Sequence, residues 1–177
     1  MPSATWKTLA FACAMLSSAP AFAQAAAERV AAHNDWTVFI AGSPKECYIV
    51  SQPTGSSAKR DGQNVEVNRG DIRLFVRFNP GESVRNEVSF TGGYPFRAGS
   101  PVQAKIGSET FNLSPGPGDA NGWAWPAAED DSRLVAALRK GATATLTGVS
   151  GRGTTTVDTF SLSGFTAAIN EAESRCK

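Results

Sequence analysis

The chain holds one histidine, His33, three cysteines, Cys13, Cys47 and Cys176, and one dense acidic run, Glu129-Asp130-Asp131. Each suggests a chemistry that its neighbours can test. A serine nucleophile needs an imidazole held rigidly beside it, and His33 lies in an Ala-rich stretch that offers no such support. Gly148-Val149-Ser150-Gly151-Arg152 resembles a nucleophile elbow but lacks the second glycine where one is required. A zinc site would need clustered Cys and His, and the chain has none. Gly148, Gly151 and Gly153 are in the wrong order for a phosphate loop, and no lysine follows them. Paired carboxylates serve glycoside chemistry, but a helix start explains Glu129-Asp130-Asp131 better. The expectation is no catalytic residue, no metal and no cofactor.

Binding is the other chemistry on offer. Trp123 and Trp125 sit two apart, so on a strand they point the same way. Exposed, they make a platform for a ligand or partner. The plainer reading fills the core or seals its rim with them, and at least one is expected to be core. Arg152, between Gly151 and Gly153, either grips an anion or marks a hairpin tip. Arg69-Gly70-Asp71 spells the tripeptide that integrins bind. It also supplies ordinary turn chemistry between a strand at Val65/Val67 and one beginning at Ile72.

The start of the chain sets the compartment. Lys7, the apolar run Leu9 to Leu16 and the Ala21-Phe22-Ala23 site have the layout of a secretory signal peptide, with cleavage expected after Ala23. The run is too short to remain as a membrane span, and no later run approaches that length. Cys13 as a lipid anchor is disfavoured, because Ala10-Phe11-Ala12 before it lacks the aliphatic residue such a motif wants. Of 17 basic and 16 acidic residues, only Lys7 leaves with the signal. The mature chain is then formally neutral, which argues against nucleic acid as a partner. Cys47 and Cys176 remain in an oxidising compartment, where pairing is favoured over free thiols.

The elements that must position these residues are mostly strands. After a leader at residues 24–35, read as frayed or as a short helical start, Trp36 to Ile40 opens the domain. Glu46 to Val50, Ile72 to Phe78, Val88 to Phe90, Val102 to Ile106, Phe111 to Leu113, Thr143 to Val149 and Thr154 to Leu162 follow. They show period-two alternation or β-branched composition between turn signals. Gln52 to Gln63 reads as a polar loop, and Pro115 to Gly122 as the longest loop signal. Two helices are expected, at about 130–140, capped by Asp130 or Asp131 and ended by Gly141, and at about 165–175. In the second, Phe165, Ala168, Ile169 and Ala172 form one apolar stripe that Cys176 continues. A Cys47–Cys176 bond would join that packed face to the early strand and close a loop of about 130 residues. The expected fold is mainly β, a single-domain antiparallel sandwich or barrel over residues 36–177.

Several stretches are similar to one family. Trp36-Thr37-Val38-Phe39, Pro44-Lys45-Glu46-Cys47, Asn68-Arg69-Gly70-Asp71, Phe90 to Phe96, Trp123-Ala124-Trp125-Pro126 and Arg152 through Phe165 resemble the invasion-associated locus B (IalB) family of alphaproteobacteria. The resemblance runs from Trp36 to Cys176. It implies an exported, disulfide-bearing, mostly β protein of the periplasm or outer envelope, with no established catalytic residues. It also implies, from pathogens in which a member promotes entry into host cells, a link to invasion. Some relatives carry a further cysteine just after the opening Trp, where this chain has Thr37-Val38-Phe39. The function expected is binding rather than catalysis. The partner would be another envelope protein, cell-wall material or a host surface. The rivals are a carboxylate hydrolase of envelope polymer, which needs two acids converging in a cleft, and a small-ligand carrier, which needs an enclosed apolar cavity.

Overall fold

The structure, a computed structural model, describes residues 26–177. The expected signal peptide and its cleavage site lie outside the described residues. Among those described there are twelve strands: β1 (Glu28–His33), β2 (Trp36–Ala41), β3 (Glu46–Ser51), β4 (Gly55–Arg60), β5 (Gln63–Asn64), β6 (Arg73–Asn79), β7 (Val84–Thr91), β8 (Val102–Ile106), β9 (Glu109–Pro115), β10 (Trp123–Trp125), β11 (Thr143–Val149) and β12 (Thr155–Ser161). Helix α1 (Asp131–Lys140) precedes β11, and α2 (Phe165–Arg175) follows β12. Every strand pair is antiparallel, in the order β1-β2-β3-β6-β7-β10-β9-β8-β11-β12-β4-β5. The mainly β antiparallel architecture with two helices is therefore the one expected from the sequence.

Alternation dictates which side chains meet. In β6, Leu74, Val76 and Phe78 are buried while Arg73, Phe75 and Arg77 are only half-buried, as a strand with one face inward requires. The single sheet folds into two leaves over one core. Phe90 of β7 and Phe160 of β12 meet edge-on across it, with ring centroids 6.1 Å apart. Helix α2 lays Phe165, Ala168, Ile169 and Ala172 on the first leaf, where Phe165 meets Trp36 of β2 edge-on at 4.9 Å. At the end of α2, Cys176 is bonded to Cys47 of β3, with Cα atoms 5.9 Å apart.

Three local expectations are corrected. Residues 28–33 form β1, neither frayed nor helical, because five of them pair with β2. The end of β1 is also pinned: Gly164 has φ +87°, and a Cβ there would strike the His33 carbonyl. His33 Nε2 lies 2.6 Å from Glu171 Oε2 of α2, so the imidazole does have a support. Gly55–Arg60, expected to be loop, is a strand that pairs with β12 from Thr155 to Thr159. Only Ala58 of it is buried, so it carries no alternation to read. The strand expected at Val65/Val67 is absent, and the backbone from Val65 to Ile72 is irregular.

The acidic run does start a helix, but not by side-chain capping. Asp130 pairs with Arg133 at 3.0 Å. Asp131 turns aside, and its Oδ1 accepts from the Val88 N–H of β7 at 2.8 Å. Burial pushes the Asp131 carboxyl up to about 6, opposed by that hydrogen bond and reinforced by Glu87 and Asp130. The folded state thus takes up the proton more readily than the unfolded chain, whose carboxyl titrates near 4. The favourable contribution is complete below about pH 4 and is lost as pH rises through 6. Asp131→Asn keeps the acceptor without the charge. It should raise stability by about 1 kcal/mol at pH 8, a figure discounted because the group is partly solvated. The gain should vanish near pH 4. Urea melts at the two pH values check this, and a less stable variant at pH 8 would refute it.

Candidate functional site

Trp123 and Trp125 lie side by side on the outer face of the first leaf, with ring centroids 6.3 Å apart. Neither is in the core. Both are half-buried, and Ala124 between them is the residue that points inward, fully buried. The expectation that at least one tryptophan is core is therefore corrected: on a three-residue strand the inward position belongs to the middle residue. Trp123 also meets Phe75 of β6 at 5.5 Å, Phe75 meets Tyr48 of β3 at 5.9 Å, and Tyr48 stacks on Phe39 of β2 at 5.1 Å. Five rings from four strands thus form one strip across the leaf. Register builds it. Phe39 pairs with Tyr48, and Phe75 pairs with Ser89, whose small side chain on the intervening β7 lets the rings of Phe75 and Trp123 close over it. Burial and the nearby Glu46 carboxylate raise the pKa of Tyr48.

Polar groups flank the strip. Arg77 pairs with Glu46, Glu82 and Glu87 at 2.8, 3.3 and 2.9 Å. Arg73 pairs with Asp71 at 3.4 Å. A strip of partly exposed aromatic rings with a charged border has the make-up of an interaction surface.

Sequence reasoning found the two tryptophans by their spacing and missed Phe39, Tyr48 and Phe75. The available signal was an aromatic at the outward position of a strand, where polar residues otherwise sit.

Arg152 is not part of this strip. It lies exposed at the turn between β11 and β12, in a separate cleft of about 340 Å³ with Arg60, Arg69 and Tyr94. The Arg69-Gly70-Asp71 tripeptide is not displayed as an adhesive loop. The Arg69 guanidinium is 8% exposed and grips the fully buried Asp158 through two hydrogen bonds, of 2.6 and 2.9 Å. That bond raises the Arg69 pKa against burial, which lowers it. Gly70 is backed by Gly93, whose φ of +74° and contact with the Gly70 backbone leave no room for a Cβ.

The residues proposed for other chemistry do not come together. Glu129 is exposed, Asp130 is paired with Arg133, and Asp131 is bonded to β7, so the three do not converge on a cleft. His33 sits against α2 with Glu171, whose pKa is lowered by His33 and then by Arg175. Among the described residues no group of His, Cys, Asp and Glu has the arrangement of a metal site. The interior gap lined by Leu74, Leu113, Leu134 and Leu146 is about 10 Å³, room for one water at most. No helix among the described residues is long and apolar enough to cross a membrane.

Comparison with known proteins bears on the fold and the family. The crystal structure of invasion associated protein B from Bartonella henselae shares the fold, with a TM-score of 0.56 at 18% sequence identity. The match covers 85% of this chain and 97% of that one. No curated protein matches the chain. The family model described as invasion associated locus B (IalB) protein matches residues 41–173. Over three-quarters of its length, then, and with the disulfide and β-rich fold that its sequence implied, the chain belongs to the IalB family.

Proposed function

We propose that this protein is exported to the periplasm or outer envelope, acts there by binding and not by catalysis, and engages its partner through the strip Phe39–Tyr48–Phe75–Trp123–Trp125. The strip is the observation that carries the reading. Burying these rings fully in the core would have been worth more to the fold than leaving part of each exposed, and large aromatics at an interface supply much of its binding energy. The Cys47–Cys176 bond suits an oxidising compartment. The partner is an envelope protein, cell-wall material or a host-surface component. The name of the Bartonella henselae relative, invasion associated protein B, favours a role linked to host-cell entry.

Trp123→Ala and Trp125→Ala separate binding from folding. Each should cost about 2 kcal/mol, the lost aromatic pairing plus part of the ring's apolar burial, against roughly 3–5 kcal/mol for a large aromatic removed from a core. Partner capture by crosslinking in living cells should fall sharply in both variants. Full capture by the double variant, with the fold intact, would overturn the role of the strip.

A further inference from the structure

The cleft beside Arg152 has features the aromatic strip does not explain. It lies between the irregular Val67–Arg69 segment, the Gly93–Pro95 turn and the β11–β12 turn. No carboxylate lines it. Asp158 lies beneath, fully buried, and its oxygens are taken: Oδ1 accepts from Ser56 and Arg69, and Oδ2 from Arg69. It therefore neutralises Arg69 and not the two other arginines of the cleft. Arg60 donates Nε and Nη2 to Thr154 Oγ1 at 3.1 and 2.8 Å, which fixes its guanidinium and leaves Nη1 over. Neither Arg60 nor Arg152 pairs with a carboxylate among the described residues. Arg97 does not line the cleft; its Nη2 lies against Gly153, beside Arg152 in the turn.

The rest of the wall is apolar and hydroxylated. The Tyr94 ring, its hydroxyl bonded to Thr156, forms one side. Val67 forms another and is 39% exposed. Ser150 Oγ accepts from the Thr154 N–H at 3.1 Å and keeps its own proton to donate.

We propose that this cleft binds an acidic sugar unit, with the oxyanion on Arg60 and Arg152, the ring against Tyr94 and Val67, and a ring hydroxyl on Ser150. A backbone nest is not available to read the anion. The N–H groups of Gly151, Gly153 and Thr154 are already given to Pro95 O, Ser150 O and Ser150 Oγ. The guanidinium forks do that work, and their planar geometry suits carboxylate and phosphate alike. About 340 Å³ lies at the small end of ligand sites, which run roughly 300–1,000 Å³, so one ring with its acid group fits better than a dinucleotide. The apolar wall gives a sugar ring's carbon face a surface that a bare anion would not use.

The test is an amide NMR titration of the protein at low salt with four probes: glucuronate, glucose 6-phosphate, glucose and inorganic phosphate. Either or both acidic sugars should shift the Tyr94, Gly151 and Thr154 amides, and which does so distinguishes a carboxylate from a phosphate source. Glucose and inorganic phosphate should each bind at least tenfold more weakly. Arg152→Gln, at an exposed turn where the melting temperature should not move, should weaken the acidic sugar at least tenfold. Acidic sugars that bind no better than glucose, inorganic phosphate that binds as tightly as they do, or an Arg152→Gln variant with undiminished affinity would each overturn the proposal.

Discussion

Asp158→Ala should destabilise the protein by about 3–5 kcal/mol, the loss seen when one partner of a buried ion pair is removed. The Arg69 side chain is 8% exposed and Asp158 is fully buried. Deleting the carboxylate strands a largely buried guanidinium, left with a long contact to Gly92 O at 3.4 Å and the Tyr94 ring 5.9 Å away. Ser56 loses its acceptor at the same time. The pair fastens the irregular segment at Arg69 to β12, so the loss should also loosen residues 65–72. Asp158→Leu combined with Arg69→Met should recover much of the stability. An apolar pair of similar volume pays no desolvation cost, while a lone buried charge does. Urea melts of Asp158→Leu, Arg69→Met and the double variant give the coupling directly. A single-variant loss below about 1 kcal/mol would mean that the segment relaxes and lets water reach Arg69.

Cys176→Ser should cost about 2–5 kcal/mol, the usual loss for a native bridge in a secreted domain. The bond spans a sequence separation of 129 residues, so the unfolded chain gains much freedom when it is cut. The folded state suffers locally as well. Cys176 is the last buried residue of the stripe that presses α2 on β1, β2 and β3. Without the bond, α2 is held by its packing and by side-chain contacts such as His33–Glu171 and Arg139–Asn170, none of them covalent, and chain ends open first. Limited proteolysis should cut within α2 before any strand in the variant and not in the native protein. Quantitative labelling of both thiols in protein taken from the envelope would contradict the account, because it would show that the bond is not formed there.

How far the sequence could be read follows from where each signal lies. The strands with a fully alternating face, such as Arg73–Asn79 and Thr143–Val149, were legible because burial acts on every second residue. β4 was not, because Ala58 alone points inward and a polar strand looks like a loop. β1 was not, because its order comes from pairing with β2 and from the His33–Glu171 contact, both set by distant residues. Asp131 shows the same limit within a helix: its type marked a helix start, but its partner is the Val88 backbone of another strand. The Cys47–Cys176 pairing was legible because each cysteine extended an inward-facing pattern.

The candidate sites divide in the same way. Trp123 and Trp125 announced themselves by spacing alone. Phe39, Tyr48 and Phe75 join them only through strand register, which no local window contains. Arg60 entered the second cleft because β4 pairs with β12, so misreading that strand as a loop hid it.

A protein that works through its aromatic face should be captured by its partner there and not on the opposite leaf. A photo-crosslinking phenylalanine derivative is placed at Phe75, in the middle of the strip, and separately at Gln103, on the solvent side of β8 in the other leaf. Both variants are illuminated in living cells. A discrete covalent adduct should form from position 75 and none from position 103. Equal adducts from both positions, or an adduct from 103 alone, would contradict a role for the aromatic face.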